Sequence, residues 1–150
     1  MSVSYKRKNC RLCDSGNIKV VLPLQKSPLC DAYLEQPKDQ EFYNLNLCLC
    51  NECGFVQIDT VVEPETIYRD YIYVTTSSPG LQKHFERYAL EVCNFLYLDE
   101  SNLTIDIGSN DGTLLGFFKQ RGHNVLGIEP SIKAANSANG NGIETLSEFF

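Results

Sequence analysis

Four cysteines fall in two pairs, Cys10-Arg-Leu-Cys13 and Cys50-Asn-Glu-Cys53. In this C-x-x-C spacing two thiolates of one tight turn converge on one side of a tetrahedral zinc. A second chemical cluster runs from Leu103 to Gly112, Leu-Thr-Ile-Asp-Ile-Gly-Ser-Asn-Asp-Gly. Asp106, at the end of a predicted strand, is placed to accept a hydrogen bond from a ligand's amino group. Gly108 and Gly112 permit positive φ or close approach of a ligand to the backbone, and Asn110 is the non-glycine type most tolerant of the left-handed region. Glu129 closes Asn124-Val-Leu-Gly-Ile-Glu. It follows the first acid by roughly 20 residues, the separation at which a second strand end offers its carboxylate to ribose hydroxyls.

These residues need elements to hold them. Residues 10–62 read as a small, loop-rich zinc domain, with short strands at 20–22, 45–49 and 55–58, the last two joined by the second knuckle as a hairpin. Gly54 after Cys53, and Asp14 after Cys13, supply the permissive backbone that each knuckle needs. The spacer between the pairs exceeds that of common zinc ribbons, which costs little because loop-closure entropy grows only logarithmically with length. Four thiolates close the shell, so the zinc is structural. Cys48 shares a strand face with Cys50 and competes with it as a ligand, and Cys50 is preferred because it alone completes the spacing. Cys30 lies in an irregular segment at 27–33, and Cys93 falls on the apolar stripe of a helix, where a thiol acts as a small hydrophobe.

Residues 63–80 form a connector rich in tyrosine, with Tyr68, Tyr71 and Tyr73 among hydroxyl-bearing neighbours. Aromatics usually pack, yet here they stand where an active-site wall would be built. Ser78 as N-cap and Pro79 as first helical residue open a helix with Leu81, Phe85, Tyr88, Val92 and Leu96 at helical spacing, predicted to pack on the following sheet. Strand 103–107, helix 113–121, strand 124–129 and a helix capped by Ser131 then alternate, and a third strand begins within 143–146. This is the opening of a Rossmann-like βαβ series, incomplete at 81–150, with exposed sheet edges expected. His84 and His123 read as solvent-facing or structurally satisfied.

Composition narrows the function. The 150 residues suffice for one ordinary domain or two small ones. With 13 basic and 19 acidic side chains the net charge is -6, which disfavours a nucleic-acid partner. The one basic cluster, Lys6, Arg7, Lys8 and Arg11, reads as a solvated arm. No apolar run approaches the roughly 18 residues of a membrane span, the first residues are polar, and seven cysteines without a signal peptide fit the cytoplasm.

The turn at 106–112 resembles motif I of S-adenosylmethionine-dependent methyltransferases, with Asn110 where that family has its middle glycine. The likeness extends along the chain: C-R-x-C, the Leu47-to-Gln57 run L-C-L-C-N-E-C-G-F-V-Q, D-Y-x-Y at Asp70 to Tyr73, I-G-S-N-D-G-x-L-L, and V-L-G-I-E-P-S. In that order they resemble the N-terminal portion of the zinc-containing sugar C-methyltransferases, which methylate carbon 3 of nucleotide-activated keto-deoxysugars. Departures are Asp14 for a glycine, the extra Cys48, and the absent C-terminal part with its histidine-containing segment and third domain. The resemblance implies an α/β methyltransferase domain preceded by a small zinc-binding α+β domain. It implies S-adenosylmethionine and zinc as cofactors and a nucleotide-linked sugar as substrate. In that reaction a base removes an α-proton, and the enolate carbon attacks the cofactor's methyl group in line as the sulfur–methyl bond breaks and the sulfur leaves as a neutral thioether. Tyr71 or Tyr73, the D-Y-x-Y tyrosines, would serve as base or as donor to the enolate oxygen. Gly108, Asn110, Asp111 and Gly112 would cradle the methionine part, Asp106 would orient it, and Glu129 would hold the ribose. Cys10, Cys13, Cys50 and Cys53 would hold the zinc. Two other classes make different predictions. A zinc-ribbon adaptor would bind no cofactor, and a dinucleotide oxidoreductase would bind NAD, against which the missing G-x-G-x-x-G speaks.

Overall fold

A computed structural model describes residues 3–30 and 34–150, so the end of the irregular 27–33 segment lies outside the described residues. The chain divides into two compact units, Met1–Ile67 and Tyr68–Phe150, with the boundary inside the tyrosine-rich connector.

In the first unit β1 (Ser4–Lys6) pairs antiparallel with β5 (Thr60–Val62). A second antiparallel sheet has the order β2 (Ile18–Leu22), β3 (Leu47–Cys50), β4 (Val56–Ile58). The hairpin across the second knuckle is as expected, whereas the first pairing makes a strand of part of the basic arm. Lys6 is not merely solvated: its ammonium lies 3.4 Å from the carboxylate of the buried Asp59. Few apolar side chains are buried here. Val20, Val21, Leu22, Val56 and Ile58 remain 40–49% exposed, and the interior consists of Cys10, Tyr43, Cys48, Cys50, Gln57 and Asp59. A unit with so little apolar burial needs another source of cohesion.

A short helix, α1 (Pro64–Tyr68), spans the boundary between the units. The second unit is mixed α/β: α2 (Pro79–Leu96), β6 (Leu103–Ile107), α3 (Thr113–Lys119), β7 (Asn124–Ile128), α4 (Ile132–Gly140) and β8 (Thr145–Leu146). The three strands are parallel in the order β6-β7-β8, with Asp106 beside Gly127 and Ile107 beside Ile128. Parallel pairing follows from the helical crossovers between successive strands. One core joins Leu115, Ala138 and Ile143, and another joins Ala89, Cys93 and Phe118.

The second cluster corrects the expected packing of α2. The helix packs chiefly on α3, and its buried residues there are Ala89 and Cys93; Val92 of the expected stripe packs beside them, as does Val125 of β7, whereas Tyr88 and Leu96 are exposed. Small residues at the contact let two helix backbones approach closely, which the larger side chains could not do. Cys93 does pack as a small hydrophobe, and its thiol lies 3.2 Å from His123 Nε2. His123 Nδ1 is 2.9 Å from the Asp99 carbonyl, so Nδ1–H donates there and Nε2 accepts from the thiol. On the opposite face of the sheet Leu103, Ile105 and Ile107 are each more than half exposed, and β6 is an edge strand among the described residues. No helix among the described residues is long and apolar enough to cross a membrane.

Candidate functional site

The two knuckles have the same local geometry. Cys10 N donates to Ser15 O and Asp14 N to Cys10 O; likewise Cys50 N donates to Phe55 O and Gly54 N to Cys50 O. Both turns close on a left-handed residue, Asp14 at φ 58° and Gly54 at φ 76°. The four sulfur atoms lie within 4.8 Å of one another, with Cys10 to Cys53 and Cys13 to Cys50 each at 3.6 Å. A tetrahedral zinc with Zn–S bonds of about 2.3 Å has sulfur-to-sulfur edges of about 3.8 Å. The donor set therefore fits zinc.

The electrostatics agree. Burial works against ionisation of Cys10, yet the amides of Cys13 and Leu12 and the Cys53 side chain bring its thiol from 9.0 to about 7. The Ser15 amide favours a Cys13 thiolate, but crowding by Cys53, burial, and the other two sulfurs push Cys13 up to about 12. Four adjacent thiols resist ionising together until a cation compensates them. Cys48 stands apart from this cluster. It faces the interior between Val20 and Gln57, and burial and the negative Asp59 raise its pKa, which keeps it a thiol.

Gln57 is a residue whose role the sequence did not disclose. It is buried, its Oε1 accepts from Arg11 N at 2.8 Å, and its Nε2 donates to Asn9 O at 3.0 Å. One side chain on β4 thus clamps the backbone on both sides of Cys10. Groups that orient metal ligands are commonly worth about 10–100-fold in affinity. We expect Gln57→Leu to weaken zinc binding by a factor in that range, measured by competition with a chromogenic chelator. Unchanged affinity would show that the first knuckle is held by its own turn alone.

In the second unit the turn after β6 is fastened to the end of β7. Gly108 N and Ser109 N both donate to Ile128 O, at 2.8 and 3.3 Å. Gly108 at φ 79° and Gly112 at φ 75° are both left-handed, for different reasons. A Cβ on Gly112 would lie 3.0 Å from that of Ile143 and 3.1 Å from that of Ala138, so this glycine lets α3 seat against α4 and the chain entering β8. A Cβ on Gly108 would meet nothing within 4 Å, which leaves its backbone open to a ligand. Asn110 occupies the left-handed region at φ 51°, as its type allows.

Asp106 and Glu129 stand at the carboxyl ends of neighbouring parallel strands. Burial and the negative charge of Glu129 raise the pKa of Asp106, so the position favours an added cation. Glu129 is itself 6% exposed: Oε2 accepts from Asn110 N at 2.8 Å and Oε1 from Ser131 N at 2.7 Å. Each carboxylate oxygen retains a lone pair.

The side chains of Asn110 and Asp111 face the connector. Asn110 Oδ1 accepts from Thr75 N at 2.9 Å, and its Nδ2 donates to Tyr73 O at 2.9 Å. Asp111 Oδ2 accepts from Thr76 N, while its Oδ1 accepts from Thr113 N and the Thr113 hydroxyl. Burial opposes ionisation of Asp111, but these donors outweigh it and lower its pKa. Tyr71 and Tyr73 are adjacent, with ring centroids 6.5 Å apart, and Tyr68 meets Tyr71 edge-on at 6.1 Å. The Tyr73 hydroxyl is 3.5 Å from Ser78 Oγ. A cavity of about 510 Å³ beside α3, lined by Thr76, Asp111, Gly112 and Asn141 among others, includes neither Asp106, Glu129 nor either tyrosine.

A four-cysteine cluster that fits zinc is followed by a parallel α/β unit, and both parts have counterparts among known proteins. Residues 10–68 match the Methyltransf_13 family, described as "Putative zinc binding domain". The chain as a whole is similar to C-methyltransferase NovU of Streptomyces niveus, 26% identical over 140 residues and covering 91% of this chain. It spans 33% of that relative's length. The likeness to a C-methyltransferase read from the motifs is thereby shown, and the match at 10–68 together with the four-cysteine cluster supports zinc.

Proposed function

We propose that the chain is the zinc module and cofactor-binding portion of a cytoplasmic, S-adenosylmethionine-dependent C-methyltransferase that acts on a nucleotide-activated keto-deoxysugar. The observation that carries this reading is the pair Asp106 and Glu129 at adjacent strand ends, bridged by the 108–112 turn with Gly108 open above it. The parallel strand–turn–helix series suits a Rossmann-like sheet, in which ligands sit outside the carboxyl ends of the strands. Similarity to a C-methyltransferase supports the reaction class.

The residues fit the cofactor's chemistry. Asp106, poorly stabilised as an anion, would gain an ionic hydrogen bond from an α-ammonium group. The free lone pairs of Glu129 would take ribose hydroxyls. Bound S-adenosylmethionine would supply an electrophilic methyl group. Tyr71 or Tyr73 would donate a hydrogen bond to the developing enolate oxygen or accept the α-proton, and the cradle would align carbon with methyl. The zinc keeps its four thiolates and takes no part in the chemistry.

Isothermal calorimetry of the zinc-loaded chain tests the reading, with S-adenosylhomocysteine as ligand and NAD as control. We expect binding of the first alone. Absence of binding, or preference for NAD, would sink the assignment. Glu129→Ala is a poor probe of the ribose contact, because it strands the Asn110 and Ser131 amides. The 2′-deoxy form of the ligand probes the same contact without disturbing the fold.

A further inference from the structure

We infer that Asn110 is a positioning residue that ties the placement of Tyr71 and Tyr73 to occupancy of the cofactor turn, an inference that rests on the function proposed above. Its backbone amide donates to Glu129, and its side chain holds the connector at Tyr73 O, Thr75 N and the Thr75 hydroxyl. The connector is also linked to the same carboxylate at Tyr71. Ser131 N donates to Glu129 Oε1, and Ser131 Oγ donates to Tyr71 O at 3.0 Å. Tyr71, Ser131, Glu129, Asn110 and Tyr73 therefore form a closed ring, in which the backbone carbonyl of each tyrosine is linked to a different oxygen of the Glu129 carboxylate.

The geometry separates two tasks at position 110. A glycine would satisfy φ 51° equally well, so the backbone conformation alone gives no reason for an amide side chain. The amide instead makes three hydrogen bonds to the connector, and Asp111 adds a further hold at Thr76 N. A ligand that draws on Glu129 or settles on the 108–112 backbone acts on the atoms that fix both tyrosines. Occupancy of the turn therefore bears on the connector segment that carries both tyrosines.

Asn110→Gly tests this directly, since it keeps the backbone and removes only the side-chain hold. Hydrogen exchange of peptides covering 71–77 is measured for both proteins with and without S-adenosylhomocysteine, alongside calorimetric affinity. In the unaltered chain the ligand is expected to slow exchange at Thr75 and Thr76 about tenfold or more. In Asn110→Gly exchange there is expected to be faster by about tenfold without ligand, and no longer to respond at ligand concentrations that calorimetry shows to saturate the variant. Asn110→Asp, which retains an acceptor for Thr75 but sets an oxygen against Tyr73 O, is expected to lose the response as well. If the ligand binds the unaltered chain and exchange at 75–76 does not change, the coupling is overturned while the proposed function stands. Exchange in Asn110→Gly equal to that of the unaltered chain overturns it too. If the ligand does not bind at all, the proposed function fails first.

Discussion

Stripping zinc from the chain, or replacing Cys50 by serine, is expected to unfold Met1–Ile67 and leave Tyr68–Phe150 folded. The expectation follows from what holds the first unit together. Its apolar residues on β2 and β4 are largely exposed, and its buried centre is made of thiols, Gln57, Asp59 and Tyr43. Metal binding supplies on the order of 10 kcal/mol in small zinc modules, more than the whole stability of many domains. Cys50 is the residue to change because it is fully enclosed and also ends β3, whereas Cys13 and Cys53 are exposed. Limited proteolysis read by mass spectrometry distinguishes the outcomes. Rapid cleavage within 3–67 after chelation, with the second unit protected, is the expected pattern. An unchanged digest would mean that the two small sheets are self-sufficient and the zinc merely decorates them.

Asp106→Asn is expected to move stability and affinity in opposite directions. The folded-state pKa of Asp106 lies above its ordinary value of 3.8 because of burial and then Glu129. For a carboxyl shifted upward, the favourable contribution to folding is complete below the unfolded pKa and is lost as pH rises through the folded value. At pH 7 the free chain therefore carries a disfavoured anion. Asparagine removes it, so the melting temperature of the free chain rises, and the gain shrinks as pH is lowered toward 4. On the proposed assignment the same change would delete a charge-assisted hydrogen bond to a ligand ammonium, worth about 1.5–3 kcal/mol, or roughly 10–100-fold in affinity for S-adenosylhomocysteine. Thermal scans across pH and calorimetry at pH 7 measure the two halves. A variant that melts lower at pH 7 while binding equally well would remove Asp106 from the site.

Local chemistry was the legible part of this sequence. Each knuckle is a five-residue turn, so spacing alone brought Cys10 to Cys13 and Cys50 to Cys53, and the left-handed Asp14, Gly54 and Asn110 could be anticipated from residue type. Cys48 was ambiguous because strand alternation sets it on the same face as Cys50, and only tertiary placement separates the two. The pairing of β1 with β5 escaped notice, since both strands are three residues long and lie far apart in the chain. The stripe on α2 was legible in part: Val92 packs as periodicity predicts, whereas the close helix contact selects the small Ala89 and Cys93 over Tyr88 and Leu96. Ser131 was legible as the N-cap of α4, where its hydroxyl accepts from Ala134 N, but not its contacts to Glu129 and Tyr71, and the contacts of Gln57 carried no periodic signal at all. Each is a polar residue made useful by burial, and burial is a property of the assembled chain.

The uncovered face of β6 has a practical consequence for anyone handling this polypeptide alone. A parallel edge strand bearing Leu103, Ile105 and Ile107 in a row offers both unpaired backbone groups and a greasy stripe to any passing strand. No lysine, proline or bulge interrupts that stripe. Preparations of the isolated chain will thus have a built-in route to edge-to-edge association, and charged substitutions at Ile105 are where an engineer would block it.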